Sequence, residues 1–183
     1  VCIKCSKLLL NKEKHSYLLE LNNDERWQKV FTFASKKRRC GEDSHNGCGC
    51  LQPKLKKEGL ATLVAEWSDK EDEDNKEDGK LTMKLIPELV IKILKKISDE
   101  DVNFMGFSPI WSRPEWMICQ ALAVPPPAVR PSVKHDAQQR SEDDLTHIIV
   151  NIIKANKTLQ EKIEQNSSSN VIDDWTTVLQ YYI

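Results

Sequence analysis

The sequence predicts an α+β fold in which a mixed module of short strands and helices, stapled at a cysteine site, precedes a long antiparallel helical hairpin. Three observations carry this. Cysteines fall in two groups, Cys2 with Cys5 and Cys40 with Cys48 and Cys50, so distant parts of the amino-terminal segment have a chemical reason to meet. From Leu51 to Leu85 apolar residues alternate loosely around a run of charge, which suits short strands. From Leu145 onward they recur at three- and four-residue steps on both sides of a polar break, the pattern of two amphipathic helices.

Charged residues make up 30% of the 183 and the net charge is −1. No global basic field marks a dedicated nucleic-acid binder, and any contact with nucleic acid must be local. No apolar run approaches the roughly 18–20 residues of a membrane span, and no charged, apolar and cleavage-site series opens the chain. Neither a membrane span nor a signal peptide is expected, and the chain reads as intracellular. In that compartment six cysteines serve as metal ligands or buried thiols rather than disulfides. The chain opens on Val1 and ends within a helical pattern at Tyr181, Tyr182 and Ile183, so both ends are expected to be cuts in a longer polypeptide.

Taken in order, the C-x-x-C pair of Cys2 and Cys5 precedes Leu8, Leu9 and Leu10, which need a buried surface. The first helix is predicted next. Asp24 can cap a segment in which Trp27, Val30, Phe31 and Ala34 share a face, and Lys36 to Arg39 place positive charge at its negative end. That helix delivers Cys40, with Cys48, Gly49 and Cys50 following. Thiolates in tetrahedral array suit Zn²⁺ and leave no open position for water. The first pair is diagnostic, whereas Cys40, Cys48, Cys50, His15 and His45 compete for the remaining ligand positions. Reduced, buried cysteines are the plainer alternative.

Leu55, Leu60, Leu63 and Val64 are the apolar positions of the short strands. The run DKEDEDNKEDG has no apolar anchor and reads as a solvated loop ending at Gly79, after which Lys80 to Leu85 returns as the second strand of a hairpin. Pro87 suits the first turn of a helix whose Leu89, Val90, Ile93, Leu94 and Ile97 line one face. Core packing explains that stripe. Ser98 with Asp99, Glu100 and Asp101 starts another helix, which Gly106 stops. Arg113 is expected to pair with Glu115 rather than bind phosphate, and Cys119, between Ile118 and Ala121, is expected in the core.

Pro125, Pro126 and Pro127 fix their own φ and bias the residues before them, so Ala123 to Ser132 is expected to run as a stiff polyproline-type strut. Ser141 followed by Asp144 is a capping variant opening the long helix. Between these supports Lys134, His135, Asp136, Gln138, Gln139 and Arg140 form a polar, donor-rich loop suited to phosphates or polar edges, with a solvated connector as the plain alternative. Leu145, Ile148, Ile149, Ile152, Ile153, Leu159 and Ile163 then trace one helix, QNSSSN breaks it, and Trp175, Val178, Leu179 and Tyr182 trace its return. The resulting hairpin would be about 30 Å long and has too little core to stand alone. It packs on a body or offers its tip and outer faces to partners.

The runs RPEWMI, AVPPPAVRPSV and QRSEDDLTH closely resemble the clamp region of the largest subunit of multisubunit DNA-directed RNA polymerases, most closely the RNA polymerase II type, and the resemblance covers almost the whole chain. It implies a non-catalytic clamp portion of a nucleotidyltransferase, holding DNA and the RNA–DNA hybrid. The polar loop corresponds to the lid, which separates nascent RNA from template, with Arg130, Lys134, His135, Gln138, Gln139 and Arg140 as its nucleic-acid-binding residues. CIKCSKLLL corresponds to the family's C-x-x-C-GKLLL and NGCGCLQP to its GGCG-N-TQP, which selects Cys2, Cys5, Cys40 and Cys48 as ligands of one structural Zn²⁺. Ser6 stands where the family usually has glycine, and Cys50 where it often has asparagine.

The same resemblance divides the chain into a zinc-binding segment at 1–58, a clamp head or core at 59–132, the lid at 133–142 and the helical hairpin at 143–183. The hairpin corresponds to the clamp coiled coil, a docking post for initiation factors and the NusG-type elongation factor, with its tip near Glu164 to Val171. The other implied partners are the remaining polymerase subunits, the DNA template and the RNA–DNA hybrid, with no membrane. In that family Mg²⁺ sits on an NADFDGD motif, which this chain lacks, so Mg²⁺ is expected only in the complete polymerase and no catalytic residue here. A cellular source implies the nucleus, a large DNA virus a viral or cytoplasmic location. The alternative class is a stand-alone zinc-stabilised module that binds a protein through its hairpin. A zinc hydrolase is disfavoured, because H-E-x-x-H is missing and His15, His45, His135 and His147 form no ligand set.

Overall fold

The computed structural model describes residues 1–43, 46–59, 61–68, 80–134 and 140–183, and mixes helices with small sheets in an α+β arrangement. It divides into two compact units, Val1–Lys57 with Leu63–Cys119, and Glu58–Thr62 with Gln120–Ile183.

In the first unit a 3₁₀ turn over Ser16–Glu20 buries Leu18, and α1 (Asn23–Ala34) adds Val30 to the same cluster. The cap of α1 is Asn22, not the predicted Asp24. Asn22 has the extended backbone a cap needs, and its Oδ1 accepts the Glu25 N–H at 2.9 Å. Asp24 falls within the first turn, where its charge faces the positive end of the helix dipole.

One sheet orders β1 (Lys54–Glu58), β2 (Thr62–Ser68) and β3 (Lys80–Leu85) side by side. β2 and β3 pair antiparallel with Leu63 opposite Leu85, Ala65 opposite Met83 and Trp67 opposite Leu81, so every second pair is apolar and falls on one face. β1, reading KLKKE, is exposed along its length. The Trp67 indole N–H donates to the Leu51 carbonyl at 3.0 Å and anchors the sheet to the chain leaving the second cysteine group. Leu60 and the charged run 69–79 lie outside the described residues.

Pro87 opens α2 (Pro87–Lys95), where a missing N–H costs nothing. Ser98 caps α3 (Asp99–Phe104) by accepting the Asp101 N–H at 3.2 Å, and Gly106 leaves the helix with φ +97°. Leu10, Leu18, Val30, Ile97, Val102, Phe104 and Met105 form the core. Two clasps hold its rim. The buried Asp101 carboxylate accepts the Leu8 N–H at 3.3 Å and pairs with Lys12 at 2.9 Å. Arg113 donates to Glu115 at 2.6 Å and to the Ile97 carbonyl at 3.1 Å, and pairs with Asp99. Arg113 therefore has the structural role expected of it. Cys119 corrects its expectation: it is exposed, because the chain leaves the core after the buried Pro114, and Trp116 and Met117 are exposed as well.

The second unit replaces the predicted straight strut with a bent one. Val129 donates its N–H to the Pro126 carbonyl at 3.0 Å and Arg130 to that of Pro127 at 3.2 Å, so the proline run leads into a turn. The same fixed φ that favours polyproline also suits proline as the second residue of a turn, the place Pro127 takes. Beyond it β4 (Val133–Lys134) and β5 (Arg140–Ser141) pair antiparallel, Lys134 opposite Arg140. Ser141 is thus a strand residue, and the predicted cap moves to Asp143, which accepts the Leu145 N–H at 2.8 Å and opens α4 (Asp144–Glu164).

α4 ends in a Schellman motif. Asn166 takes a left-handed φ of 51°, the Ser167 N–H reaches the Lys162 carbonyl at 3.0 Å, and the Asn166 N–H reaches that of Ile163 at 3.0 Å. α5 (Ser169–Tyr182) starts after two further residues and packs on α4, whose Ile149 and Ala155 are buried.

Candidate metal centre

Four sulfurs converge in the first unit. The Sγ atoms of Cys2, Cys5, Cys40 and Cys48 all lie within 4.8 Å of one another, with Cys2 to Cys48 at 3.7 Å and Cys5 to Cys40 at 3.6 Å. None is in a disulfide. A tetrahedral thiolate centre with bonds of about 2.3 Å spaces its sulfurs roughly 3.8 Å apart, so this set fits a metal such as zinc.

Each half is built by backbone hydrogen bonds. The Cys2 carbonyl accepts the Ser6 N–H and the Cys2 N–H meets the Lys7 carbonyl, both at 2.9 Å, folding C-x-x-C into a tight turn. In the second half the Cys40 N–H donates to the Cys50 carbonyl and the Gly49 N–H to the Cys40 carbonyl, both at 3.0 Å. These bonds bring Cys40 beside Gly49 and Cys50. A Cβ on Gly47 would stand 2.2 Å from the Gly41 Cα, so Gly47 can approach the Gly41 backbone this closely only without a side chain.

Rival ligands point elsewhere. Cys50 Sγ donates to the Leu51 carbonyl at 3.5 Å, and His15 Nδ1 lies 2.9 Å from the Asn11 carbonyl. His45 lies outside the described residues. Gln52, which sequence reasoning did not single out, donates its Nε2 to Cys2 Sγ at 3.3 Å. Its only signal in the sequence is a polar residue between Leu51 and Pro53 just past the cysteines.

The thiols are electrostatically unequal. Burial pushes Cys2 up, but the N–H groups of Cys5 and Lys4, the Gln52 amide and the Cys48 thiol outweigh it and bring Cys2 down to about 6. Burial raises Cys40 to about 12, with Cys5 and Cys2 adding to the rise, and burial also raises Cys5. Without metal, Cys5 and Cys40 are protonated at neutral pH, and a metal taking them as thiolates displaces both protons. Metal affinity is therefore expected to climb with pH, by about two log units per pH unit or more between pH 6 and 8. Competition against a chromophoric chelator at several pH values reads that slope; a flat profile would overturn the assignment.

Ser6 shows where the site carries strain. It is buried in a left-handed conformation, φ +63°, and its hydroxyl has no hydrogen-bond partner among the described residues. Left-handed backbone costs a non-glycine residue about 1–2 kcal/mol, and an orphan hydroxyl adds to that. Ser6→Gly is expected to stabilise the metal-loaded protein by about 1 kcal/mol, raising Tm by roughly 2–4 °C. A lowered Tm would show that the hydroxyl has a use.

The second group of predicted site residues belongs to the other unit. Lys134 is exposed and faces Arg140 across the β4–β5 ladder, without a side-chain partner among the described residues. Arg140 donates to Ser132 Oγ at 2.8 Å and pairs with Glu142 at 3.3 Å. Arg130 donates to the Pro125 carbonyl at 2.9 Å and to Thr146 Oγ1 at 3.2 Å, so it braces the turn against the start of α4. His135, Gln138 and Gln139 lie outside the described residues.

The four-cysteine centre and the β4–β5 ladder thus occur in one chain whose whole length, residues 1–183, matches the family model for RNA polymerase Rpb1, domain 1. The chain belongs to that family and is part of the largest subunit of an RNA polymerase.

Proposed function

We propose that this chain is the clamp portion of that subunit, stapled by one structural zinc at Cys2, Cys5, Cys40 and Cys48. The match along all 183 residues carries this reading. A part of the largest subunit works among other polymerase subunits, within an enzyme that joins nucleotides on a DNA template. Zinc follows from the donor set: four soft sulfurs satisfy a tetrahedral d¹⁰ ion and leave no position for a reactive water, so the metal's task is structural.

In this reading the segment between β4 and β5 is the lid. The ladder gives it a fixed base, with Arg130 and Arg140 holding the supports and Lys134 free to meet phosphate at the upstream end of the RNA–DNA hybrid. The paired helices α4 and α5 correspond to the clamp coiled coil, and the residues around Asn166 to its tip, where initiation factors and a NusG-type factor would dock. The test uses the assembled polymerase on a preformed RNA–DNA scaffold. Lys134→Ala with Arg140→Ala is expected to weaken crosslinking of upstream RNA several-fold and leave the rate of nucleotide addition unchanged. A large loss of bond formation with intact RNA crosslinking would contradict the lid role.

A further inference from the structure

We infer that Gln52 is a positioning residue of the cysteine centre, whose carboxamide orients Cys2 and holds Cys48 rather than Cys50 as the fourth ligand. The inference rests on the four-cysteine reading above. Three hydrogen bonds from one amide carry it. Nε2 donates to Cys2 Sγ at 3.3 Å and to the Cys50 carbonyl at 2.8 Å, while Oε1 accepts the Ile3 N–H at 3.2 Å. The amide can sit only one way round. The Ile3 N–H can only donate and the Cys50 carbonyl only accept, so exchanging O and N would break both contacts.

The main chain of Gln52 is held as well, its N–H donating to the Arg38 carbonyl at 2.7 Å beside an isolated antiparallel bridge of Arg39 with Leu51, next to Cys40. One residue therefore ties the first cysteine turn to the second across a separation of 50 positions. The consequence for Cys2 is a side-chain N–H beside that of Lys4, which reaches the same sulfur at 3.4 Å. Outer donors of this kind fix the direction of a ligating sulfur. For Cys50 the consequence is exclusion. Its carbonyl is held by Gln52 Nε2 and by the Cys40 N–H, and its thiol turns to the Leu51 carbonyl while Cys48 faces the other sulfurs. Two thiols only two residues apart thus take different roles.

The test uses the full chain loaded with Zn²⁺, or with Co²⁺ as an optical probe. Gln52→Leu keeps the bulk and removes every side-chain hydrogen bond; Gln52→Glu keeps an acceptor for Ile3 but offers sulfur no donor. Both are expected to release zinc into a chelator about 10–100-fold faster than the parent, with a changed cobalt–thiolate charge-transfer band. Alkylation mapped by mass is expected at Cys50 and Cys119 in the loaded parent, and at both Cys48 and Cys50 in Gln52→Leu. If the parent binds no stoichiometric metal, the four-cysteine reading itself fails. If it binds one equivalent and Gln52→Glu matches it in release rate and spectrum, the carboxamide is merely a backbone clip and the inference is overturned. Failure of both variants to fold in excess metal would overturn it too, because a positioning role leaves the fold in place.

Discussion

Stripping the metal is expected to unfold the amino-terminal part of the first unit. A structural zinc contributes roughly 10–16 kcal/mol of apparent folding free energy, comparable with or larger than the ~5–15 kcal/mol total stability of an ordinary domain. The other supports of these residues, the Asp101 clasp on Leu8 and Lys12 and the Gln52 amide on Ile3 and Cys2, are single polar contacts. Among the described residues of the first fifty, the buried core cluster takes Leu10, Leu18 and Val30, with Val1, Leu8, Leu21 and Phe33 partly buried against it, and the segments bearing Cys5 and Cys40 meet through sulfur and a few polar contacts. A strong chelator, or Cys40→Ser, should abolish the cooperative melt of this region and expose Leu10 and Leu18 to proteolysis nearby. Metal content should separate the two neighbouring thiols, with Cys50→Ser retaining one equivalent and Cys48→Ser losing it. An unchanged melt after complete metal removal would mean that the four thiols are only neighbours.

The second large effect is expected at Gly106. Its φ of +97° already penalises any side chain, and a Cβ there would meet the Asn23 carbonyl oxygen at 2.6 Å. That oxygen belongs to the first residue of α1, so it cannot swing aside as a flexible side chain could. Gly106→Ala is expected to cost about 2–5 kcal/mol, the left-handed penalty plus a backbone displacement. Gly59→Ala is the comparison, since Gly59 has φ +63° but open space around it and should lose only about 1–2 kcal/mol. Thermal melts of the metal-loaded variants would show both. Equal losses would mean that α1 and the end of α3 slide apart freely.

What could be read in the sequence was whatever local chemistry decides alone. The C-x-x-C turn, Pro87 at a helix start, Ser98 as a cap and the β2–β3 return were legible because each depends on a few adjacent residues. The second cysteine group was legible as a group, but spacing alone left Cys48 and Cys50 in competition, because the eight-residue step from Cys40 to Cys48 closes through main-chain bonds and the bare face of Gly47, none of which spacing expresses. Caps slipped for a similar reason. Asn22 competes with Asp24, and Asp143 with Ser141, and tertiary placement of the incoming chain chooses between them. The proline run misled because one φ value serves both an extended strut and a turn. Cys119 misled because apolar neighbours in sequence do not ensure neighbours in space.

The nested pairing of the sulfurs, Cys2 with Cys48 around Cys5 with Cys40, also sets a timetable for synthesis. The first turn leaves the ribosome with half a binding site, and 46 residues separate Cys2 from the sulfur it pairs with. At translation speeds of roughly 5–20 residues per second that interval lasts about 2–9 s. During it the nascent chain carries two bare thiols beside an apolar stretch ending at Leu10, exposed to oxidants and to stray metals that two sulfurs can hold weakly. The amino-terminal turn is thus a newborn's vulnerability as much as an adult's staple.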